Sequence, residues 1–159
     1  LKDLLVDYKG SIEDYSLAIK IDPKYTEAYG LRGLAKNKLM EYKSAIDDFN
    51  KVIEFDLNNN NFALVGRGHA KNGLKDFSGA IADFTKALEF NPKDDLALNG
   101  KGMAKSGIKD YTGAIADFTE ALEINPENEI AYNNRGNAKE DIKDYNGAIA
   151  DYTMAIKNT

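Results

Sequence analysis

The sequence repeats itself every 34 residues, and this repeat limits the possible folds more than any other feature of the chain. The stretch GRGHAKNGLKD, which begins at Gly66, returns as GKGMAKSGIKD at Gly100 and as NRGNAKEDIKD at Asn134. An earlier version, LRGLAKNKLME, begins at Leu31. The segment that follows each copy also recurs, so the repeating unit has two parts.

Both parts of the unit read as helices. In FSGAIADFTKALEFNP, residues 77–92, apolar side chains recur at intervals of three and four, which is the spacing of one helix face. The first part, roughly Asn61 to Leu74, has apolar residues at similar intervals. Asp76 is placed to cap the second helix, and Pro92 marks its end. The equivalent caps are Asp110 and Asp144, and the equivalent ends are Pro23, Leu57 and Pro126.

A pair of short helices cannot bury its apolar face alone and must stack on neighbouring pairs. No part of the sequence shows a strand pattern, so we predict an all-α array that forms one domain, residues 1–159. Its units are 1–25, 26–60, 61–94, 95–128 and 129–159. The first is partial, with Leu1 to Val6 as the tail of its first helix, and the last stops at its second helix. The extra residue of the second unit fits in the polar run Asn58 to Asn61.

The unit resembles the tetratricopeptide repeat over the whole chain. The matching residues are Gly68 in the first helix and Phe77, Ala80, Phe84, Ala87 and Pro92 in and after the second. The resemblance implies an α-solenoid, a right-handed superhelical array of antiparallel helix pairs. Two usual aromatic positions depart from the pattern. At the first position, two units keep an aromatic residue, Tyr29 and Tyr132, but the middle units have Leu64 and Leu98. At the second position every unit has a lysine: Lys36, Lys71, Lys105 and Lys139.

The glycines of GRGHAKNGLKD also suggest a loop that binds phosphate, with lysine to neutralise charge. The spacing matches neither the dinucleotide fingerprint nor the P-loop, and Arg67, Gly68 and Lys71 have counterparts in every unit. We therefore assign these residues to the scaffold. The recurring Ala80 and Phe84 are likewise predicted to be core and not ligand contacts.

Each unit carries a basic residue before its mid-helix glycine and an acidic residue before its second-helix ring. An unpaired charge at the basic position, which the family usually fills with an apolar side chain, would be costly. We therefore expect ion pairs within a unit or across adjacent units, and the alternative is a solvated charged stripe. The basic set is Arg32, Arg67, Lys101 and Arg135, and the acidic set is Asp48, Asp83, Asp117 and Asp151.

Composition removes several classes of function. The chain has no cysteine and one histidine, which excludes thiolate chemistry, His-rich metal sites and paired-histidine catalysis. Carboxylates copied into every unit are poor candidates for catalysis, so we expect no enzyme, no metal and no cofactor. The net charge of −5 argues against nucleic-acid binding, and no apolar run is long enough for membrane insertion.

In the tetratricopeptide family the first helices line a concave groove that holds a peptide, and the resemblance implies the same groove here. Its residues vary from unit to unit while the packing residues do not, which is typical of a differentiated binding face; neutral drift on an exposed face is the alternative. The basic clamp that some members use for a C-terminal carboxylate is missing. The predicted groove residues are Leu34, Phe62, Val65, His69, Leu96, Asn99, Met103, Ile130, Asn133 and Asn137.

The sequence therefore predicts a protein-interaction scaffold that binds a peptide or partner segment in this groove. The alternative is a structural array that self-associates or stacks end to end through exposed terminal helices. His69 is either a ligand contact or pH sensor, or an ordinary polar surface residue. The sequence names neither partner nor pathway, and a cytoplasmic location is the expectation.

Overall fold

The computed structural model describes residues 7–56 and 61–158, and within these ranges the chain forms helices and turns without a strand. The expectations for Leu1 to Val6, for Leu57 and the following asparagines to position 60, and for the end at Thr159 lie outside the described residues. The helices of the described part are α1 (Tyr8–Ile21), α2 (Thr26–Lys38), α3 (Tyr42–Phe55), α4 (Asn61–Gly73), α5 (Phe77–Phe90), α6 (Asp95–Gly107), α7 (Tyr111–Ile124), α8 (Glu129–Asp141) and α9 (Tyr145–Asn158).

The predicted helix caps are confirmed. The side chains of Asp76 and Asp110 accept hydrogen bonds from the backbone N–H groups of the third residues of α5 and α7. Asp144 accepts the equivalent bond, 3.0 Å long, at the start of α9. These bonds satisfy N–H groups that have no partner within the helix. Local sequence therefore fixes where α5, α7 and α9 begin, whereas α3 begins at Tyr42 without a side-chain cap.

The turn within each pair contains one residue in the left-handed region, and none of them is glycine. These residues have φ between 61 and 66°, a conformation that side chains with a Cβ adopt only at a cost. They follow the last turn of α2, α4, α6 and α8, where glycine is the usual choice. The four are Met40, Lys75, Lys109 and Lys143.

The core consists of aromatic rings that lie between glycines of adjacent units. Phe84 is fully buried, and a Cβ on Gly68 would lie 2.8 Å from its Cζ atom. A Cβ on Gly100, in the next unit, would overlap the same ring from the other side. The glycines of the opening stretch lie within α4, so they serve close packing and do not form a phosphate loop.

The first helices lie closer together than the second helices do. Among the described residues, α2 contacts α4, α4 contacts α6 and α6 contacts α8, whereas no second helix contacts another second helix. An array whose members are closer on one side curves toward that side. The first helices therefore form the inner face of the curve.

Candidate binding groove

Half-exposed apolar side chains form a row along the inner face. Phe62, Leu96 and Ile130 occupy the same place in the first turns of α4, α6 and α8, with exposed fractions of 44, 57 and 57%. Leu34 and Met103, two turns further along their helices, are 36 and 42% exposed. These five residues are the apolar part of the predicted groove that a partner can reach.

Two predicted groove residues are buried. Val65 belongs to the core cluster around Phe84 and is only 9% exposed. Asn99 is buried too, and its Oδ1 accepts a hydrogen bond of 3.1 Å from Asn134 in the next first helix. The prediction that these two side chains line the groove is therefore corrected, because the packing of the array covers them.

His69 packs against the core instead of standing free in the groove. Its ring makes an edge contact with Phe84, with ring centres 5.1 Å apart, and the side chain is partly buried. Burial lowers the pKa of His69; Lys38 also lowers it, while Asp94 opposes the change. Burial therefore favours the neutral form of the imidazole.

The amides at the groove differ in availability. Asn133 and Asn137 are exposed, although Asn137 Oδ1 accepts a hydrogen bond of 2.8 Å from the Tyr152 hydroxyl. Asn37 and Asn72 lie near the C-terminal ends of α2 and α4. They donate hydrogen bonds to the backbone carbonyls of residues 66 and 100, at 2.8 and 2.9 Å. These two amides join adjacent first helices, so they belong to the scaffold.

The recurring charges form ion pairs between the two helices of one unit. The arginine pairs are bidentate, with Nη2 2.6 Å from Oδ1 of the partner carboxylate in each case. Lys101 makes a single contact of 3.1 Å. All four aspartates are buried, which removes the solvated stripe as an alternative. The pairs are Arg32–Asp48, Arg67–Asp83, Lys101–Asp117 and Arg135–Asp151.

A second cation contacts each of these carboxylates, which sequence reasoning did not anticipate. The lysines that replace a usual family aromatic lie 2.7 to 2.8 Å from the same aspartates. Burial opposes ionisation of Asp151, but hydrogen bonds from Arg135 and Lys139 outweigh it and hold its pKa below the usual value. In the sequence, each of these lysines follows the paired basic residue by four positions, and this spacing could have indicated that both lie on one helix face. The lysines are Lys36, Lys71, Lys105 and Lys139.

A pocket of about 330 Å³ opens at one end of the inner face, between α2, the end of α3 and the start of α4. Its apolar wall is made by Leu31, Val52 and Phe62. Two carboxylate residues, Glu27 and Asp56, also line it. Thr26 and Gly30 complete the lining.

The described residues contain no group of three or more histidine, cysteine, aspartate or glutamate side chains arranged to hold a metal ion. Within the same residues, every helix is too short or too polar to cross a membrane.

Family models and solved structures match the array just described. Residues 109–143 match a model described as TPR repeat, and residues 26–59 and 63–94 match one described as Tetratricopeptide repeat. Among curated proteins, none matches the chain.

Several solved structures are similar along nearly the whole chain. A structure of MamA has 22% identity and a TM-score of 0.81, with 96% of this chain and 88% of that chain covered. MamA 41-end from Desulfovibrio magneticus RS-1 has 18% identity, a TM-score of 0.82 and coverages of 95% and 85%. YrrB, described as a TPR protein with an unusual peptide-binding site, has 22% identity, a TM-score of 0.73 and coverages of 96% and 78%. At these identities the likeness concerns the fold.

Proposed function

The chain belongs to the tetratricopeptide repeat family, and from this premise we propose that it is a protein-interaction scaffold whose inner face binds an extended segment of a partner protein. The observation that carries the proposal is the row of half-exposed apolar residues on the first helices. YrrB, which shares the fold, is described as having a peptide-binding site, and this supports the proposal.

The contrast between the two helix types supports a binding role. On α3, α5 and α7, the recurring alanine and the phenylalanine that follows it by four residues are buried and unchanged from unit to unit, because they pack the array. On the inner face, equivalent places hold different residues, such as Phe62, Leu96 and Ile130 in the first turns. Side chains that differ between units and remain exposed provide pockets of different shape along one surface, with Met103 adaptable in form.

The partner segment is expected to be partly apolar. Leu96, Met103 and Ile130 lie on adjacent helices and can bury apolar side chains of an extended chain. The exposed amides of Asn133 and of Asn137, whose Oδ1 already accepts from Tyr152, are the groups expected to bond a peptide backbone.

Selection from a displayed peptide library against the purified protein tests the proposal. Peptides that bind the wild type and are lost on the Leu96→Ala, Met103→Ala double variant place binding on the inner face. Peptides that bind both proteins equally place it elsewhere. Ile108 is a suitable control for Leu96 because it is 51% exposed but lies in a turn outside the groove.

Self-association is the second candidate. On α9, Ile149 and Ile156 are exposed. Leu122 of α7, which occupies the same position in its helix as Ile156, is buried. Helix α1 exposes Leu17 and Ile21. However, α1 and α9 are both second helices, so contact between them would break the alternation of first and second helices. Sedimentation over a concentration series separates the candidates, because end-to-end assembly predicts a mass that rises without limit.

A further inference from the structure

The pocket between the second and third units differs from the equivalent places in the later units. Three positions that line it carry residues absent from the later units. Glu27 stands where the others have apolar side chains, Gly30 stands where they have larger side chains, and Asp56 stands where they have asparagine. The counterparts are Phe62, Leu96 and Ile130 for the first, Val65, Asn99 and Asn133 for the second, and Asn91 and Asn125 for the third.

Gly30 keeps the pocket open. It is buried within α2, and a Cβ at this position would lie 2.9 Å from Cε1 of Phe62 and 3.7 Å from Cγ2 of Val52. A larger side chain would therefore fill the space, as Val65 does one unit later, where it belongs to the core. The helix accepts a glycine in its interior at a cost of about 1 kcal/mol relative to alanine.

The pocket combines an apolar wall with negative charge. Leu31, Val52 and the half-exposed ring of Phe62 line one part, while Glu27 and Asp56 line another, and no lysine, arginine or histidine is among the lining residues. Asp56 already interacts with another group of the chain, so it contributes its charge and not a vacant acceptor. An apolar anion would be repelled here, and an apolar neutral group would not use the negative charge of the pocket.

We propose that this pocket binds an arginine side chain of the partner segment, an inference that rests on the proposed function and specifies its ligand. The methylene stem of arginine fits the apolar wall, and its guanidinium reaches the two carboxylates while lying against the Phe62 ring. Arginine suits the site better than lysine because its planar group stacks on an aromatic ring and donates several hydrogen bonds at once. The net charge of −5 also draws a basic segment toward the protein.

The test uses a small probe that reports on the pocket itself. N-acetyl-arginine-N-methylamide is titrated into the ¹⁵N-labelled protein, and the neutral isostere N-acetyl-citrulline-N-methylamide serves as control. We expect saturating shifts of the amide signals of Gly30 and Phe62 with the arginine probe, and affinity about tenfold weaker with citrulline, since citrulline has nearly the same shape but lacks the positive charge and carries a carbonyl in place of one NH₂ group. The arginine response should weaken as salt is raised.

Two variants probe the two features of the pocket separately. Gly30→Val fills the space, and Glu27→Gln with Asp56→Asn removes the charge; both are expected to abolish the arginine response. Glu127→Gln with Glu123→Gln, at exposed residues away from the pocket, removes the same number of charges and should leave the response unchanged. If Gly30→Val disturbs the fold, seen as a loss of dispersion in the spectrum, the neutralised pair decides alone.

Equal shifts with arginine and citrulline, shifts that avoid Gly30 and Phe62, or a full response in both pocket variants would overturn the arginine site. The proposed function has a separate readout, because library peptides that depend on Leu96 and Met103 remain evidence for groove binding when the arginine probe fails. Conversely, the arginine probe could bind while no library peptide depends on Leu96 and Met103. That result would support the arginine pocket and contradict the proposed groove function.

Discussion

Arg67 contacts both carboxylate oxygens of Asp83, with Nε 2.8 Å from Oδ2 and Nη2 2.6 Å from Oδ1. Its Nη1 donates to Asn50 Oδ1 at 2.7 Å, in the second helix of the preceding unit. One guanidinium thus joins three helices, and Lys71 contacts the same carboxylate at 2.8 Å. The equivalent outer contacts are Arg32 with Ser16 and Arg135 with Thr119. In the three units that carry an arginine, the recurring charges therefore bind the unit to the preceding one.

Replacement of Asp83 by asparagine should destabilise the array. The change leaves the Arg67 and Lys71 cations partly buried without their anion, and we expect a loss of about 2 kcal/mol in the free energy of unfolding. Urea denaturation measures it. Glu54→Gln is the control, because Glu54 pairs with Lys51 on the open surface and should change stability by less than about 0.5 kcal/mol. Equal effects of the two substitutions would show that the buried pair has no special role.

Lys101→Arg should stabilise the protein. Lys101 makes one contact of 3.1 Å with Asp117, whereas arginine at this place in other units contacts both oxygens. Thr85 occupies the position equivalent to Ser16 and Thr119, so the new guanidinium should also bond the preceding unit. We expect a gain of about 0.5–1 kcal/mol by urea denaturation, and a similar loss for the reverse change, Arg67→Lys. A loss of stability in Lys101→Arg would contradict the proposed link between units.

Lys109→Gly should also stabilise the protein, although it removes a side chain. Lys109 has φ of 65° at the end of α6, where glycine pays no steric cost. The expected gain is about 0.5–1 kcal/mol, seen as a higher melting temperature. Lys86→Gly is the matched control, since Lys86 is exposed within α5 and glycine there should cost about 1 kcal/mol. Destabilisation by both changes would mean that Lys109 makes a contribution beyond its backbone conformation.

The sequence predicted the helices and their caps because these depend on local chemistry. Asp76 caps α5 through a hydrogen bond from Gly79, which is only three residues away in the sequence. It did not predict that Val65 and Asn99 are buried, since both share a register position with the exposed Asn133. Burial there depends on how closely the next first helix approaches, which is a property of the assembled array. The second cation on each aspartate was missed although the lysines recur four residues after the paired basic residues, because the sequence does not show that both side chains reach the same carboxylate.

Stability should fall as the pH drops below about 6.5, the ordinary pKa of histidine. The pKa of His69 is lowered in the folded protein, so the unfolded chain binds a proton first, and folding becomes less favourable until the pH passes the folded pKa. His69→Met, which copies Met103 of the next unit, should remove this slope. Urea midpoints between pH 7.5 and pH 5 would be compared, which spans roughly the histidine range. An identical slope in the variant would contradict the assignment.

Carboxylates affect the stability of the protein in a lower pH range than His69 does. The pKa of Asp151 lies below its ordinary value of 3.8, so the stability that its ion pairs provide is present above that pH and is lost as the pH falls through the folded value. The same urea series extended into this acid range should therefore show a second decline. Asp151→Asn should flatten that second decline and leave the histidine range unchanged.

The central claim is that the half-exposed residues of the first helices bind a partner segment. Calorimetric titration of a selected library peptide into two double variants tests it most directly. Leu96→Ala with Met103→Ala removes apolar surface from the inner face, and Ile108→Ala with Ile142→Ala removes similarly exposed surface from the turns. The first pair should weaken binding at least about tenfold and the second less than about twofold. Equal affinity of both double variants for the peptide would contradict the account.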